Sequence, residues 1–374
     1  MRILQIGADR SRRGILYRGT PAFMRQEAYA KQFGNLDIIA LSLRSDGAEI
    51  IDAGALRVYP TNAASKLSYF SRAMQIARTL PKPAVVSVQD PFETGLLGWR
   101  IARKFKVPLH VQIHTDFLSK EYARHSFMNR LRVLVAGFVL RRASHIRVVS
   151  EKIKTSLLKK YRLHAPVTVL PIFVDVESFR NARIDESLAE RFSSFKPKLL
   201  VVSRLESEKN VALALRAFAE CAPQDACLLI VGEGSEKTQL LRMAEDLGVS
   251  GRVFFKGAKA PIEYYKLADL VLVPSLYEGY GMVAIEALAS GVPVLSTDVG
   301  IAREAGAIIA PREKFAEALA DWFKNGPSTG ESADFVARPA ATTGGPQTVE
   351  LKNYPYKSFG EYVEAYCNDI VSSA

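Results

Sequence analysis

The sequence predicts an α/β protein built from two doubly wound units in succession. Three observations predict it. Short β-rich apolar runs alternate with helical stretches along most of the chain, the pattern of parallel sheets covered by helices on both faces. A polar stretch at residues 181–198 interrupts that series, which then begins again. The length of 374 residues suits two such units, since single domains commonly run to about 100–200 residues.

In the first half the strands are expected at residues 2–6, 37–41, 84–88, 109–113, 144–149 and 167–170. Helical patterns lie between them near 22–33, 67–79, 94–105, 127–142 and 151–160. The second series has strands at 199–202, 226–231, 252–255, 270–273 and 292–295. Residues 325–349 are rich in Gly, Pro, Ser and Thr and read as a loop. A closing helix follows, with Phe359, Tyr362, Val363 and Tyr366 on one face. The expected division is residues 1–180 and 195–350, with residues 356–374 packing back on the first domain. Ligands on such sheets bind at the C-terminal ends of the strands, which places a site in the cleft between the two domains.

Composition narrows the class. Hydrophobic residues make up 48% of the chain, enough for sizeable cores. No apolar run reaches the roughly 18–20 residues of a membrane span, and the start of the chain lacks a signal-peptide core. Cys221, Cys227 and Cys367 have no metal-ligand spacing and suggest a reduced, cytoplasmic chain. The net charge of +11 is uneven: 30 Lys and Arg against 13 Asp and Glu over residues 1–180, and 20 against 26 beyond. A first half at +17 attracts phosphate-rich partners, whether nucleic acid, anionic lipid or a diphosphate-linked acceptor.

The most informative stretch runs from Pro274-Ser275 through Glu278-Gly279-Tyr280-Gly281-Met282-Val283-Ala284-Ile285-Glu286 to Gly291-Val292-Pro293-Val294. It follows an apolar strand and opens a helix. Gly279 and Gly281 let backbone approach a ligand closely, and the helix start offers bare N–H groups to an anion such as a pyrophosphate. Glu286, two turns in, can aim its carboxylate at vicinal hydroxyls of a ribose. Glu278 precedes the helix and can reach the sugar side of the same pyrophosphate. A second strand, Leu199-Leu200-Val201-Val202, delivers Arg204 and Lys209 into its following loop. An Arg fork and a Lys point charge suit a diphosphate.

Together these strings resemble the family 4 glycosyltransferases, a retaining family of GT-B fold marked by an E-x7-E element. Arg204 and Lys209 resemble the family's strand–Gly–Arg–Leu–x3–Lys element, with Ser203 where Gly is usual. Leu228 to Gly234 is similar to the strand ending in Gly-x-Gly. Arg252 to Gly257, with Lys256 and Gly257 at its end, resembles the segment whose backbone holds the nucleobase edge. Leu170 to Phe179 resembles the run before the interdomain linker, with Ile172-Phe173 replacing Asn-Gly.

The resemblance thins in the first half. Strand alternation puts His110, Gln112 and His114 on one face, and His114 falls where the strand ends. It resembles the family His near the transferring sugar, while a plain strand-end His remains the alternative. Gln89-Asp90-Pro91 ends the preceding strand on the same rim. The first loop departs from the usual Gly-Gly and carries Arg10, Arg12, Arg13 and, after Gly14, Arg18. These suit an anionic acceptor or a solvated edge equally well. Residues 129–142 can be a membrane-surface helix, but their apolar character all round favours a buried one.

What the resemblance implies is transfer of a hexosyl group from a nucleoside diphosphate sugar to a hydroxyl acceptor, with retention and without a metal or other cofactor. The acceptor is expected on a lipid-linked or polysaccharide intermediate. Arg204, Lys209 and the N–H groups of residues 281–283 would offset the leaving charge, and Glu278 would hold the sugar. The expected place is the cytoplasm, with peripheral contact to an anionic membrane through the basic half. The rivals are a GT-B epimerase or phosphorylase and, in another class, a nucleic-acid binder. The last lacks an aromatic-interleaved basic module.

Overall fold

Apolar runs of strand length become the centre of each unit. In the computed structural model, which describes residues 1–7, 14–326 and 354–374, the chain divides into two units. One is Met1–Pro171 with Ser358–Ala374, the other Ile172–Lys357.

The first unit holds β1 (Arg2–Gly7), β2 (Asn35–Ala40), β3 (Ile51–Ala53), β4 (Leu56–Pro60), β5 (Val85–Val88), β6 (Leu109–Ile113), β7 (His145–Val148) and β8 (Val167–Val169). Their order in the sheet is β3-β4-β2-β1-β5-β6-β7-β8. β3 pairs antiparallel with β4, and the other pairings are parallel. The β3–β4 edge hairpin was not foreseen. It is short and turns at Gly54 (φ +74°), whose N–H donates to Asp52 Oδ1 at 3.0 Å.

The second unit holds β9 (Lys198–Val202), β10 (Cys227–Val231), β11 (Val253–Gly257), β12 (Leu270–Val273), β13 (Val294–Ser296) and β14 (Ile308–Ile309). All pair in parallel, in the order β11-β10-β9-β12-β13-β14. Side chains alternate between two apolar layers. Leu199 and Val201 pack with Val211, Leu215 and Phe218 on one face. Leu200, Leu229 and Val271 pack with Phe192, Tyr265 and Ala284 on the other. Burial on both faces explains why these strands are continuous apolar runs, each Leu or Val adding about 1.5–3 kcal/mol.

The division differs from the expected residue 180. The Val176–Arg180 helix packs on the Met282–Ala289 helix, and Phe179 meets the ring of Tyr265 at 5.8 Å, so residues 172–180 join the second unit. The closing helix, Phe359–Val371, starts where Ser358 Oγ accepts from Glu361 N at 3.2 Å. It buries Tyr362, Val363, Tyr366, Cys367 and Ile370 against the first unit, and Tyr366 stacks on Tyr29 at 4.1 Å. Of the loop at 325–349, residues 327–349 lie outside the described residues, as do Arg10, Arg12 and Arg13 of the first loop.

The buried-helix expectation for residues 129–142 needs correcting. The Phe127–Leu140 helix buries Ala136, Gly137, Val139 and Leu140 but exposes Phe127, Met128, Leu131 and Leu134. One face is core and the other is not. Among the described residues, no helix is long and apolar enough to cross a membrane.

Candidate functional site

In the second unit the strand order reverses between β9 and β12: β10 and β11 continue to one side, β13 and β14 to the other. The connections leaving these neighbours diverge, and a crevice opens at the carboxyl ends of the two strands. The loops there are the two that carry Arg204, Lys209, Glu278 and Gly281.

Bonds to main-chain carbonyls fasten these loops together. Leu276 N donates to Glu208 O at 2.8 Å, and Asn210 Nδ2 donates to Pro274 O at 3.2 Å. Asn210 itself is left-handed (φ 49°) and turns the chain from the Ser207–Lys209 helical turn into the Val211–Cys221 helix. Lys209 Nζ then reaches Glu278 Oε1 at 2.7 Å, with both side chains about five-sixths buried (17% and 16% exposed). Ser275 Oγ donates to the same oxygen at 2.8 Å. Arg204 Nη2 pairs with Glu208 at 2.7 Å and remains 70% exposed.

The Met282–Ala289 helix begins at Gly281, which is left-handed at φ +87°, and no side chain caps its first turn. Its free amides and partial positive charge therefore stay available for an anion. Gly279 is half-buried, Tyr280 is buried, and Met282 stands exposed beside Val283. Glu286 lies on the same helix, where Tyr265 Oη donates to its Oε2 at 2.7 Å. Burial raises the Glu286 carboxyl above its usual range, and the bond from Tyr265 offsets this only in part.

Two glycines hold the Arg204 loop. A Cβ on Gly232 would lie 1.7 Å from Ser203 O, and one on Gly234 would lie 2.3 Å from Leu205 O. Leu205 N also donates to Glu233 O at 2.9 Å, so the Gly-x-Gly turn braces the backbone on either side of Arg204. Ser203, standing where the family usually has Gly, has a buried hydroxyl that finds no partner among the described residues. Lys256 was expected to contribute backbone. Its ammonium lies over Phe192, 4.6 Å from the ring centroid, so this position offers main chain rather than charge. The neighbouring Gly257 accepts from Gly232 N at 2.8 Å.

Sequence reasoning missed Tyr265, Thr297 and Gly300. Thr297 Oγ1 donates to Ser275 O at 2.6 Å, and Ile301 N donates to Tyr280 O at 2.9 Å. A Cβ on Gly300 would lie 2.3 Å from Tyr280 O, which explains a glycine there. The Thr-Asp-Val-Gly turn after β13 was the available signal.

The first unit has its own reversal, between β1 and β5. A hollow of about 340 Å³ opens there, lined among others by Gln5, Arg25, Gln26, Gln89 and Asp90. Burial raises the Asp90 carboxyl, which accepts from Phe92 N at 2.8 Å. Arg18 is exposed, and its guanidinium donates to Asp52 O. His114 follows β6, with a buried Nε2 that has no partner among the described residues. Burial, with Arg147 and His110 adding to it, pushes its pKa down to about 3, so the imidazole is neutral near pH 7. His110 and Gln112 belong to a different arrangement. His110 and His145 donate to Asp369 of the closing helix at 2.9 and 3.1 Å, and Gln112 binds Tyr366 Oη and the fully buried Arg147.

The chain is similar to known proteins in sequence and in fold. Residues 185–336 match the model described as "Glycosyl transferases group 1", and residues 27–178 match "Glycosyltransferase Family 4". The alpha-monoglucosyldiacylglycerol synthase of Streptococcus pneumoniae is 31% identical over 244 residues, covering 61% of this chain and 54% of that protein. The D-inositol 3-phosphate glycosyltransferase of Segniliparus rotundus is 31% identical over 262 residues, covering 66% of this chain and 57% of its own. The chain thus spans little more than half the length of these relatives. In fold it is similar to Anabaena HepE, solved in complex with UDP and glucose, at TM-score 0.67 and 19% identity over 87% of this chain and 90% of that one. Two largely parallel sheets, each reversing its strand order once, and two successive models that between them take in most of the chain lead to one assignment: this protein belongs to the family 4 glycosyltransferases, with the GT-B fold.

Proposed function

We propose that the second unit binds a nucleoside diphosphate hexose and that the protein transfers the hexosyl group to a hydroxyl acceptor with retention. The observation that carries the reading is the junction of Lys209 with Glu278 at 2.7 Å, beside the uncapped start of the Met282–Ala289 helix. A cation, a carboxylate and bare amides are what a diphosphate joined to a sugar requires at one place. UDP and glucose in the HepE structure support a nucleotide sugar as donor.

In this reading the diphosphate lies against the amides of Gly281, Met282 and Val283 and takes Lys209 and Arg204 from their carboxylates. Glu278, released from Lys209, accepts hydroxyls of the hexose. Glu286 keeps one oxygen on Tyr265 and offers the other to the ribose. Lys256 and Gly257 contribute backbone to the base. As the bond from the anomeric carbon to the phosphate oxygen breaks, charge grows on the leaving diphosphate, and the fixed donors stabilise it. The acceptor oxygen bonds to the anomeric carbon, and its proton passes to the departing phosphate oxygen. No metal or other cofactor is invoked, because the cations and amides fill that role.

His114 is a poor proton acceptor at a pKa of about 3. Its unpartnered Nε2 suits it to hydrogen-bond a sugar or acceptor hydroxyl instead. The amide-rich hollow at Gln5, Gln26 and Gln89 favours a hydroxyl-bearing acceptor, such as a glycan on a lipid or polysaccharide intermediate.

Calorimetry against a panel of nucleotide sugars, followed by product analysis with and without an acceptor, tests the reading. Binding of one nucleoside diphosphate sugar, with sugar transfer only when acceptor is present, is expected. Turnover of donor alone into an isomeric nucleotide sugar would replace the transferase by an epimerase.

A further inference from the structure

Tyr265 is fully buried, and its ring needs no hydroxyl to fill its place. It packs in the apolar layer with Leu200, Val271 and Ala284, and Phe179 meets it edge-on, 5.8 Å between centroids. A phenylalanine would bury the same ring without a polar atom to satisfy. The hydroxyl instead donates to Glu286 Oε2 at 2.7 Å. Burial and the carboxylate beside it raise its pKa well above the ordinary value, so Tyr265 stays a donor at any working pH.

Glu286 stands one turn beyond Met282 on the helix whose first amides are bare, and the two residues share a face. The torsion that turns a glutamate carboxylate about its own axis is broad and roughly two-fold. A bond on Oε2 fixes that plane and leaves Oε1, which has no partner among the described residues, for a ligand. The donor of the bond is itself held. Lys266, the next residue, donates to Arg180 O at 2.9 Å and to Ser290 O at 3.2 Å. The Ile262–Leu267 helix is thereby tied to the Val176–Arg180 helix and to the far end of the helix that carries Glu286.

Burial raises the Glu286 carboxyl, and the Tyr265 bond is the influence that lowers it. The helices packed on Met282–Ala289 also carry Glu177 and Arg180, Glu263 and Lys266, and Arg303 and Glu304. None of these charges contributes to the shift at Glu286, and the strands beneath carry none.

We infer that Tyr265 is a positioning residue for the donor's ribose: acting through Glu286, it gives the site its preference for a nucleotide that keeps both ring hydroxyls. The role rests on the donor reading, in which Glu286 meets the ribose. Two vicinal hydroxyls donate best to a carboxylate that is ionised and held in one plane. The bond from Tyr265 favours both conditions. Without it the carboxylate turns more freely and takes up a proton at higher pH, and a protonated carboxyl gives up part of its capacity to accept.

Calorimetry on the full chain tests this with UDP, ADP and GDP, each against its 2′-deoxy counterpart, using the base that binds most tightly. The ratio of the two affinities reads the ribose contact, since base and diphosphate are common to both. Wild type should prefer the ribonucleotide about tenfold or more near pH 8, the order of one charged hydrogen bond. In Tyr265→Phe the preference should shrink to about threefold or less. As the pH is lowered it should also vanish at a higher pH than in wild type, because the carboxyl has lost the bond that held its pKa down. Glu286→Ala should show no preference, and adding Tyr265→Phe to it should change nothing further. A Tyr265→Phe preference equal to that of wild type would overturn the inference and leave the donor reading standing. So would a smaller preference lost at an unmoved pH, which marks altered packing, or a further change in the double variant. A wild type that does not distinguish the two sugars, or that binds none of the three nucleotides, would remove the donor reading and the role of Tyr265 with it.

Discussion

Lys209 and Glu286 show how single side chains carry the donor site. Lys209 contributes a charge held within reach of the helix start, and Glu286 a carboxylate fixed by Tyr265. Replacing either by Ala should weaken nucleoside diphosphate binding about tenfold or more, the order of one charged hydrogen bond. Each variant should still melt cooperatively, at a lower midpoint because Glu278 or the Tyr265 hydroxyl loses its buried partner, and calorimetry with scanning fluorimetry on the same samples checks both. His114 and His110 bear on pH. Burial lowers both imidazoles, His114 to about 3. The unfolded chain then takes up protons near pH 6.5 that the folded first unit refuses. Stability is therefore complete above about 6.5 and falls as the pH drops toward 3. Asp369 acts in the same sense at lower pH. Burial would raise its carboxyl, but hydrogen bonds from His110, His145 and Thr168 hold it well below the usual range. Thermal melts from pH 7.5 to 4 should show a falling midpoint, and a flatter curve in His114→Gln. Arg204, Lys209, Glu278 and Glu286 were legible because the residues bracketing them form long strings. Tyr265 was not, since only packing of the Ile262–Leu267 helix against Met282–Ala289 brings its hydroxyl to Glu286.

Loops and helices transmit these effects as elements. The Arg204 loop has its path because Gly232 and Gly234 leave room for the Ser203–Leu205 main chain. Gly232→Ala would put a methyl carbon on Ser203 O, where nothing can give but backbone. Displacement of Arg204 and loss of most nucleotide affinity are expected, read by calorimetry, together with a lower melting temperature. The closing helix is bound to the first unit by polar contacts as well as by its apolar face. Asp369→Ala would leave His110, His145 and Thr168 without their shared acceptor, and a loss of about 1–3 kcal/mol is expected in urea melts. Strand and helix alternation made most elements readable from their periods. The β3–β4 hairpin and two-residue β14 were too short to show a period, and the exposed stripe at Phe127 was hidden because an apolar helix looks the same whether its outer face is covered or bare.

At the scale of the whole molecule, the two units repeat one physical plan with different linings. Each sheet reverses its strand order once, the arrangement that favours a crevice at the carboxyl ends of the strands. The loops at the second reversal carry charges and bare amides, while the hollow at the first is lined by Gln5, Gln26 and Gln89 together with Arg25 and Asp90. The charge imbalance was visible in composition alone, and part of it lies on the helices beside an apolar stripe that only the fold exposes. The central claim is that Lys209, Glu278 and the start of the Met282–Ala289 helix grip one diphosphate. Calorimetric titration of UDP into the protein and into Lys209→Ala tests that claim most directly. Saturable one-to-one binding by the first, weakened about tenfold or more in the second while it still melts cooperatively, is the result predicted. Equal affinity in the two folded proteins would contradict it.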